Sequence, residues 1–304
     1  MQAISICITV FNEAKTIDRL LDALTAQTFP ADEIIIVDGG STDQTLSVLK
    51  QFAKTLPRIE VFQVKGNRSV GRNAAIKRAK NDWIAITDAG CIPHQNWLEE
   101  MAKVQQKSRA LVIAGYYDAL AINSLQEAMV PYVFVMPDKV NEANFLPATR
   151  SMLLHKTIWE KIGGFDESLS DNEDYAFANK IKVITSISFA KAAKVSWLPR
   201  NTLQQFYVML FRFARGDIKA GLIRPKVIFI FARYATGLGI LLWLWSATDL
   251  TNALLFALAV ILLYSIWAIT KNLRYVPNGW YWLPVLQLTA DAAVMIGSIA
   301  GTRD

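Results

Sequence analysis

Acidic residues follow three predicted buried strands, close to the point where each strand ends. Glu13, Asp38 and Asp88 each come within three residues after a run rich in Ile and Val. In an open parallel sheet, ligands bind beyond the carboxyl ends of the strands, so we expect these carboxylates to face one cleft. Carboxylate oxygens accept hydrogen bonds from a ligand or coordinate a hard cation. A dinucleotide site is excluded, because no G-x-G-x-x-G motif follows the first strand.

Residues 66–72 open a predicted helix and carry two arginines. The free backbone N–H groups of a helix start, together with Arg68 and Arg72, suit a diphosphate. Exposed arginines are common on protein surfaces, so the pattern also fits an ordinary charged helix face.

These residues must be positioned by alternating strands and helices. Short apolar runs alternate with segments of helical periodicity and polar starts. The predicted strands are 4–10, 34–37, 59–64, 83–87 and 111–114, and the predicted helices are 16–25, 44–55, 70–79 and 96–107. The alternation predicts an α/β fold with a parallel sheet and right-handed crossovers.

Composition separates the chain into two parts. With 53% hydrophobic and 19% charged residues, the chain is too apolar for an ordinary soluble protein. Most charges lie before residue 225. The net charge of +6 comes from scattered basic residues, which excludes a nucleic-acid partner. Cys7 and Cys91 have neither disulfide nor metal-ligand spacing, which fits a reducing compartment. The N-terminal run lacks a preceding basic region, so it is not a signal peptide.

The last part of the chain has the length and composition of membrane-spanning helices. Three apolar stretches, 227–248, 250–270 and 280–300, each approach the ~20 residues that cross a bilayer. The third carries Gln287 and Asp291 and also fits a buried core helix. Lys and Arg flank the first pair of stretches but are absent between them, so the positive-inside rule predicts that the preceding residues are cytosolic. We therefore expect an inner or cytoplasmic membrane location, with the domain that precedes the apolar stretches facing the cytosol.

Residues 203–225 alternate apolar and basic side chains at helical spacing. This pattern predicts an amphipathic helix on the lipid headgroups. A helix packed on protein is the alternative. The predicted organisation is a cytosolic domain 1–202, an interfacial helix 203–225 and a membrane domain 226–304.

The segments that follow the predicted strands resemble those of family 2 glycosyltransferases of the GT-A fold. The family's order is kept throughout, and another segment, FLPATRSMLL (145–154), resembles a membrane-associated branch. The matching segments are ISICITVFNE (4–13), IIIVDGGSTDQT (34–45), GNRSVGRNAAI (66–76), WIAITDAGCIP (83–93), GGFDESLSDNED (163–174) and FRFARGD (211–217). The resemblance implies a mostly parallel twisted sheet flanked by helices. It also implies inverting transfer of a sugar from a nucleotide-diphosphate sugar, usually with a divalent metal.

By this resemblance, the first acids bind the donor. Asp38 is expected to accept a hydrogen bond from the nucleobase, and Asn12 and Glu13 to face the base or ribose. Arg72 is expected to bind the diphosphate. Ordinary turn chemistry is the alternative for Asp38, with Ser41 and Gln44 as a capping box, and a favourable helix-opening acid is the alternative for Glu13.

The family's D-x-D signature corresponds to Asp88-Ala89-Gly90, so Gly90 stands where the metal-binding Asp is usual. Asp88 is therefore the candidate metal ligand, for Mg²⁺ or Mn²⁺, with diphosphate oxygens and waters completing the shell. Gly90 puts metal dependence in doubt. Cys91 and His94 are nearby but are more simply loop residues.

By the same resemblance, Glu173 and Asp174 match the family's acid pair. Inverting transfer needs a carboxylate that takes the acceptor's proton, and Asp174 is the predicted general base. The alternative is a negative first helical turn behind Asn172. Both can hold together, and a helix start predicts a lowered pKa for Asp174.

Four further residues are candidates for acceptor or diphosphate contacts, alongside Glu173. Arg150 and Ser151 are expected to line the acceptor pocket, with a structural ion pair as the alternative for Arg150. Arg212 and Arg215 are expected to stabilise the developing diphosphate charge, or else to lie among lipid headgroups.

The sequence thus predicts a membrane-anchored inverting glycosyltransferase with a nucleotide-diphosphate sugar as donor. The expected acceptor is a lipid-linked saccharide or polyprenyl phosphate at the bilayer surface, in contact with membrane lipids. The alternatives are a non-catalytic sugar-nucleotide-binding membrane protein and a processive polysaccharide synthase. The synthase would need further membrane-spanning helices to form a translocation channel. A nucleotidyltransferase is disfavoured because a Gly- and Lys-rich phosphate loop is absent after the first strand.

Overall fold

The computed structural model describes residues 2–303. The chain divides into two compact units. The first comprises the residues up to Leu120 together with Met136–Leu198, and the second comprises Ala121–Val135 and the residues from Pro199 onward.

An eight-stranded mixed sheet forms the centre of the first unit, in the order β3-β2-β1-β4-β7-β6-β8-β5. The strands β3, β2, β1 and β4 are parallel, as are β6 and β8, whereas β7 is antiparallel to both β4 and β6, and β5 is antiparallel to β8. The strands are β1 Ile4–Val10, β2 Glu33–Asp38, β3 Ile59–Gln63, β4 Trp83–Ile86, β5 Cys91–Pro93, β6 Val112–Ala119, β7 Met152–His155 and β8 Ser188–Trp197.

The predicted α/β fold of the GT-A type is confirmed, and the antiparallel strand β7 is an addition to it. This strand lies between β4 and β6 and runs antiparallel to both. The connection that leads to it from β6 contains one α-helix, Ser124–Val133, which belongs to the second unit.

Six helices belong to the first unit. They are α1 Ile17–Thr25, α2 Thr45–Thr55, α3 Arg68–Arg78, α4 Trp97–Ser108, α6 Lys156–Ile162 and α7 Glu173–Ile184. The side chain of Asn67 accepts a hydrogen bond from the N–H of Val70 and so caps the start of α3. Apolar residues of α3, α6 and α7 pack with those of β1, β2, β4 and β7 in one buried core.

The second unit is helical. Its main helices are α5 Ser124–Val133, α8 Leu203–Lys219, α9 Pro225–Ala247, α10 Leu250–Asn272 and α11 Leu283–Gly301. Three segments, Pro225–Ala247, Leu250–Tyr275 and Trp280–Gly301, are long and apolar enough to cross a membrane. Helix α9 starts with Pro225, which fits the first helical position, and the side chain of Asp249 caps α10.

Helices α8 and α11 pack closely. Gly297 and Gly301, one turn apart on α11, lie against the backbone of α8, where added Cβ atoms would fall 2.3 Å from Phe211 O and 2.8 Å from Arg215 O. Small residues at this spacing let two helices approach at backbone distance. The apolar residues Phe206 and Leu210 of α8 are buried, so part of its apolar face serves packing within this unit.

Candidate active site

The loops that follow β1 and β2 are joined by hydrogen bonds. Because β1 pairs in parallel with both β2 and β4, the ends of these strands lie at one edge of the sheet. The side-chain oxygen of Asn12 accepts a hydrogen bond from the N–H of Thr42 (2.8 Å), and the N–H of Asn12 donates to Ser41 Oγ (2.9 Å). Asn12 is exposed and has a left-handed backbone conformation (φ 55°). The side chain of Glu13 accepts from Thr16 Oγ1 (2.7 Å), at the start of α1.

Asp38 lies at the last position of β2 and is fully buried. Its carboxylate accepts hydrogen bonds from the N–H groups of Gly40 and Ser41 and from Gln63 Nε2 (2.7 Å). Although burial raises the pKa of Asp38, these hydrogen bonds outweigh it and hold the pKa below its ordinary value. The carboxylate thus closes the turn after β2, and a nucleobase would have to share it with these donors.

Arg72 connects two acids from distant parts of the chain. Its guanidinium donates to Asp88 Oδ1 (2.8 Å) and to Glu173 Oε1, and both Arg72 and Glu173 are 3% exposed. Helix α3 can bring Arg72 here because Gly71 lies directly on β1, where a Cβ would fall 2.2 Å from Thr9 Oγ1. The expected diphosphate-binding arginine is therefore buried between carboxylates.

Asp88 is the partly exposed member of this group, with 30% of its side chain accessible. Its Oδ2 accepts a hydrogen bond from Thr149 Oγ1 (3.3 Å). Burial favours the neutral acid, but the charges of Arg72, Arg150 and Arg68 outweigh it and hold the pKa of Asp88 below its ordinary value.

Arg150 is half-buried and lies on an aromatic platform. Its guanidinium carbon is 5.4 Å from the ring centroid of Tyr117 and 5.2 Å from that of Trp197. The backbone of Arg150 is fixed to the end of β4, because Thr87 Oγ1 donates to its carbonyl (2.9 Å). Cation–π contacts of this kind help to orient a guanidinium.

Asp174 is half-buried in the first turn of α7, beside Glu173. Burial raises its pKa, and the like charge of Glu173 raises it further. Arg72 and Arg150 act in the opposite direction but do not outweigh these effects. The lowered pKa expected from the helix start is therefore wrong: desolvation and the adjacent carboxylate dominate over the helix dipole. The direction found is the one that suits a proton acceptor working near neutral pH.

The residues around Asp88 do not provide the usual ligand set of a divalent cation. Asp88 already accepts from Arg72 and Thr149, and Gly90 has no side chain to offer. Within residues 2–303, no cluster of three or more His, Cys, Asp or Glu has metal-binding geometry. A hard cation takes several oxygen ligands, so the described donor set does not fit a resident Mg²⁺ or Mn²⁺.

The other candidates lie elsewhere. Ser151 is fully buried, accepts from Trp97 Nε1 (2.9 Å) and donates to the carbonyl of Ala193, so it connects α4 with the sheet. His94 Nε2 lies 3.0 Å from Ser196 Oγ, and Cys91 is buried, with a raised thiol pKa. Arg212 and Arg215 belong to α8 in the second unit, and their contacts with a diphosphate stay a prediction.

Some residues of the site had not been anticipated from the sequence. They are Gln63, Thr149, Tyr117 and Trp197, which contact Asp38, Asp88 or Arg150. A signal existed for Thr149, which directly precedes Arg150 in the matching segment 145–154. Trp197 ends β8, a strand whose small and charged residues gave no clear alternation.

Proteins of other organisms are similar to this chain in sequence. The chain is 24% identical over 229 residues to glycosyltransferase AglE of Haloferax volcanii. This match covers 72% of the chain and 74% of the relative. It is 35% identical over 112 residues, 35% of each chain, to dolichyl N-acetyl-alpha-D-glucosaminyl phosphate 3-beta-D-2,3-diacetamido-2,3-dideoxy-beta-D-glucuronosyltransferase of Methanococcus voltae. Several other relatives are matched over 60% of their own length or less.

A solved structure supports the same fold. The mannosyltransferase PcManGT of Pyrobaculum calidifontis, in complex with GDP-Man and Mn²⁺, superposes with a TM-score of 0.65 at 18% identity, over 99% of this chain and 87% of that one. Residues 5–152 match the family model described as glycosyl transferase family 2. Residues 5–152 of this chain therefore have the sequence of a glycosyl transferase family 2 domain.

Proposed function

We propose that this glycosyltransferase moves a sugar from a nucleoside-diphosphate sugar to a membrane-associated acceptor, with inversion at the anomeric carbon. The observation that carries the proposal is the surroundings of Asp174. Asp174 directly follows Glu173, and Glu173 is joined to Asp88 through their ion pairs with Arg72, so the proposed proton acceptor lies next to groups expected to hold the donor.

The donor would bind at the edge formed by the ends of β1, β2 and β4. Asn12 and Glu13 offer exposed or half-buried polar groups for the nucleoside, and the turn closed by Asp38 forms the floor beside them. Asp88, with an accessible carboxylate edge, would accept a hydrogen bond from a ribose or sugar hydroxyl. Arg72 acts through Asp88 and Glu173, whose orientation it fixes.

Asp174 would act as the general base. As the acceptor oxygen attacks the anomeric carbon, its proton passes to the Asp174 carboxylate, and the bond between that carbon and the diphosphate oxygen breaks. The electron pair leaves with the nucleoside diphosphate. A positioned general base typically contributes about 10²- to 10⁴-fold to the rate, and attack opposite the leaving group inverts the configuration.

The acceptor is proposed to be a polyprenyl phosphate or a lipid-linked saccharide. Three helices that could span a membrane support this choice, since they would hold the catalytic unit at the surface where a lipid acceptor is confined. The name of the Methanococcus voltae relative includes a dolichyl phosphate, which supports the same acceptor class. Lys and Arg outside the connection between α9 and α10 favour a cytosolic active site.

The proposal is tested with full-length protein in detergent micelles that contain polyprenyl phosphate. A panel of UDP- and GDP-sugars is offered, with and without EDTA, and nucleotide release and lipid product are measured. We expect one donor to give a lipid-linked product, and the anomeric configuration of that product, read by NMR, to be opposite to that of the donor.

The matched variants are Asp174→Asn and Glu160→Gln, of which the latter changes an exposed acid on α6. We expect Asp174→Asn to lose about 10²-fold or more of the rate and to keep nucleotide binding, and Glu160→Gln to behave as the unchanged protein. Substantial transfer by Asp174→Asn, or retention of configuration, would contradict the proposed mechanism.

A further inference from the structure

The cation Arg150 and the position where the family pattern has a second acid lie on the same tryptophan. Gly90 stands at that position, and a Cβ added to it would lie 4.0 Å from Trp197 Nε1. The same Trp197 ring supports the guanidinium of Arg150. Gly90 and Arg150 therefore both adjoin Trp197.

Arg150 is held on this surface from three sides. Tyr117 and Trp197 contact its guanidinium, and Thr87, at the end of β4, holds its backbone carbonyl. The preceding residue, Thr149, contacts Asp88 directly. The charged group is thus fixed next to Asp88 before any ligand arrives, which removes the entropic cost of ordering a long side chain.

Carboxylates and guanidinium groups both surround Asp88. Asp88, Glu173 and Asp174 supply three carboxylates, and Arg72, Arg68 and Arg150 supply three guanidinium groups whose charges reach Asp88. Arg72 is committed to Asp88 and Glu173 by direct ion pairs. A divalent cation added beside Asp88 would meet these positive charges and no second carboxylate from position 90.

We propose that the guanidinium of Arg150 neutralises the donor's diphosphate, in the role that a divalent cation has when a second acid is present, so that transfer by this chain needs no metal. The inference rests on the proposed function and deepens it, because it concerns how the same site binds its donor.

The chemical step requires a positive charge beside the leaving diphosphate, and Arg150 is proposed to supply it. When the bond between the anomeric carbon and the diphosphate oxygen breaks, the leaving nucleoside diphosphate takes the electron pair and gains one negative charge. The acceptor's proton goes to Asp174, so no other group receives it. A guanidinium donates two parallel hydrogen bonds to phosphate oxygens, and its fixed position lets it stabilise this charge without reorganisation.

The test measures binding as well as turnover. Dissociation constants of UDP and GDP are determined for the full-length protein in detergent, by calorimetry, in EDTA and in MnCl₂, and transfer is measured under the same conditions. We expect binding and transfer to be unchanged by EDTA.

Three variants separate the charge of Arg150 from its packing. Arg150→Met keeps an apolar stem on the two rings and is expected to lose about 10²-fold of the transfer rate and to weaken nucleotide binding. Arg150→Lys should retain part of both, since it keeps the charge but not the paired hydrogen bonds. Arg19→Ala, which removes an exposed arginine on α1, is the control and should change neither.

The variant Gly90→Asp tests whether a second acid restores metal-dependent nucleotide binding. The space beside Gly90 accommodates a side chain, so this variant is expected to bind nucleotide more tightly in MnCl₂ than in EDTA, unlike the unchanged protein. The inference is overturned if the unchanged protein binds and transfers only with a divalent ion, or if Arg150→Met retains full activity in EDTA. Absence of transfer under every condition would instead overturn the proposed function, and this inference with it.

Discussion

Arg72 and Glu173, 101 positions apart in the chain, form a buried ion pair at the starts of α3 and α7. Because Arg72 also pairs with Asp88, the first turn of α7 is held close to the loop that follows β4. Arg72 Nε and Glu173 Oε2 are buried and have no hydrogen-bond partner within the described residues. The arrangement therefore fixes the position of Asp174 at a cost in desolvation.

Breaking this pair should be far more harmful than breaking an exposed one on the same helix. Arg72→Met leaves Glu173 buried and uncompensated, and we expect a loss of roughly 3–5 kcal/mol in the free energy of unfolding. Arg78→Met removes the partner of Glu60, where 63% of the arginine side chain is exposed, and should cost about 0–1 kcal/mol. Chemical denaturation of the full-length chain in detergent measures both, and equal effects would contradict the structural role assigned to Arg72.

The raised pKa of Asp174 predicts where activity falls on the acidic side. A general base works only when deprotonated, so kcat/KM should decline as the pH drops through this raised value, at a higher pH than an ordinary Asp would give. Glu173→Gln removes the like charge and should lower the pKa of Asp174, which moves the acidic limb to lower pH.

Glu160→Gln, which changes an exposed acid on α6, is the matched control for this pH profile. Its acidic limb should coincide with that of the unchanged protein. A Glu173→Gln profile that keeps the original midpoint while its overall rate falls would assign Glu173 a purely structural role.

The contact between α8 and α11 predicts different outcomes for two glycines. Gly297→Ala introduces a methyl group 2.3 Å from Phe211 O, so the helices must separate and the protein should lose thermal stability in detergent. Gly237→Ala, on α9, has nothing within 4 Å and should be neutral or slightly stabilising, because alanine is the better helix former. Equal melting temperatures for the two variants would mean that α8 and α11 do not pack as closely as described.

Local patterns predicted the parts of the fold that depend on neighbouring residues in sequence. The Ile- and Val-rich runs of β1, β2 and β4 are buried on both faces, so their composition alone identified them. The acids at their ends followed from the same reasoning. Strand β8 escaped prediction, because its small and charged residues show no clear alternation, and the short strands β5 and β7 were not predicted either.

The contacts that define the site depend on residues far apart in sequence. Nothing near Arg72 in sequence indicates that Glu173 pairs with it, and nothing near Asp38 indicates Gln63. For Asp174, the helix position gave the wrong direction of pKa shift, because burial in the folded chain and the like charge of Glu173 raise the pKa. Sequence reasoning identified the groups, and only the folded chain fixed their electrostatics.

Gln287 and Asp291, two polar residues of the third predicted span, contact one another. Asp291 of α11 accepts hydrogen bonds from Arg233 of α9 (2.8 Å), from Gln287 (3.0 Å) and from Tyr264 of α10. Asp291 is 2% exposed. One carboxylate thus connects all three of the long apolar helices, and such polar contacts join helices in an apolar surrounding.

Removing this carboxylate should loosen the helical unit. Asp291→Leu leaves Arg233 and Tyr264 without their shared acceptor, and we expect the melting temperature in detergent to fall, whereas Asp291→Asn, which retains an acceptor oxygen, should fall less. Interhelical hydrogen bonds of this kind contribute about 0.6–2 kcal/mol each. Asp249→Asn is the control, because Asn caps a helix about as well as Asp and the exposed cap of α10 touches none of these groups. If Asp291→Leu melts no lower than Asp249→Asn, the network does not hold the three helices together.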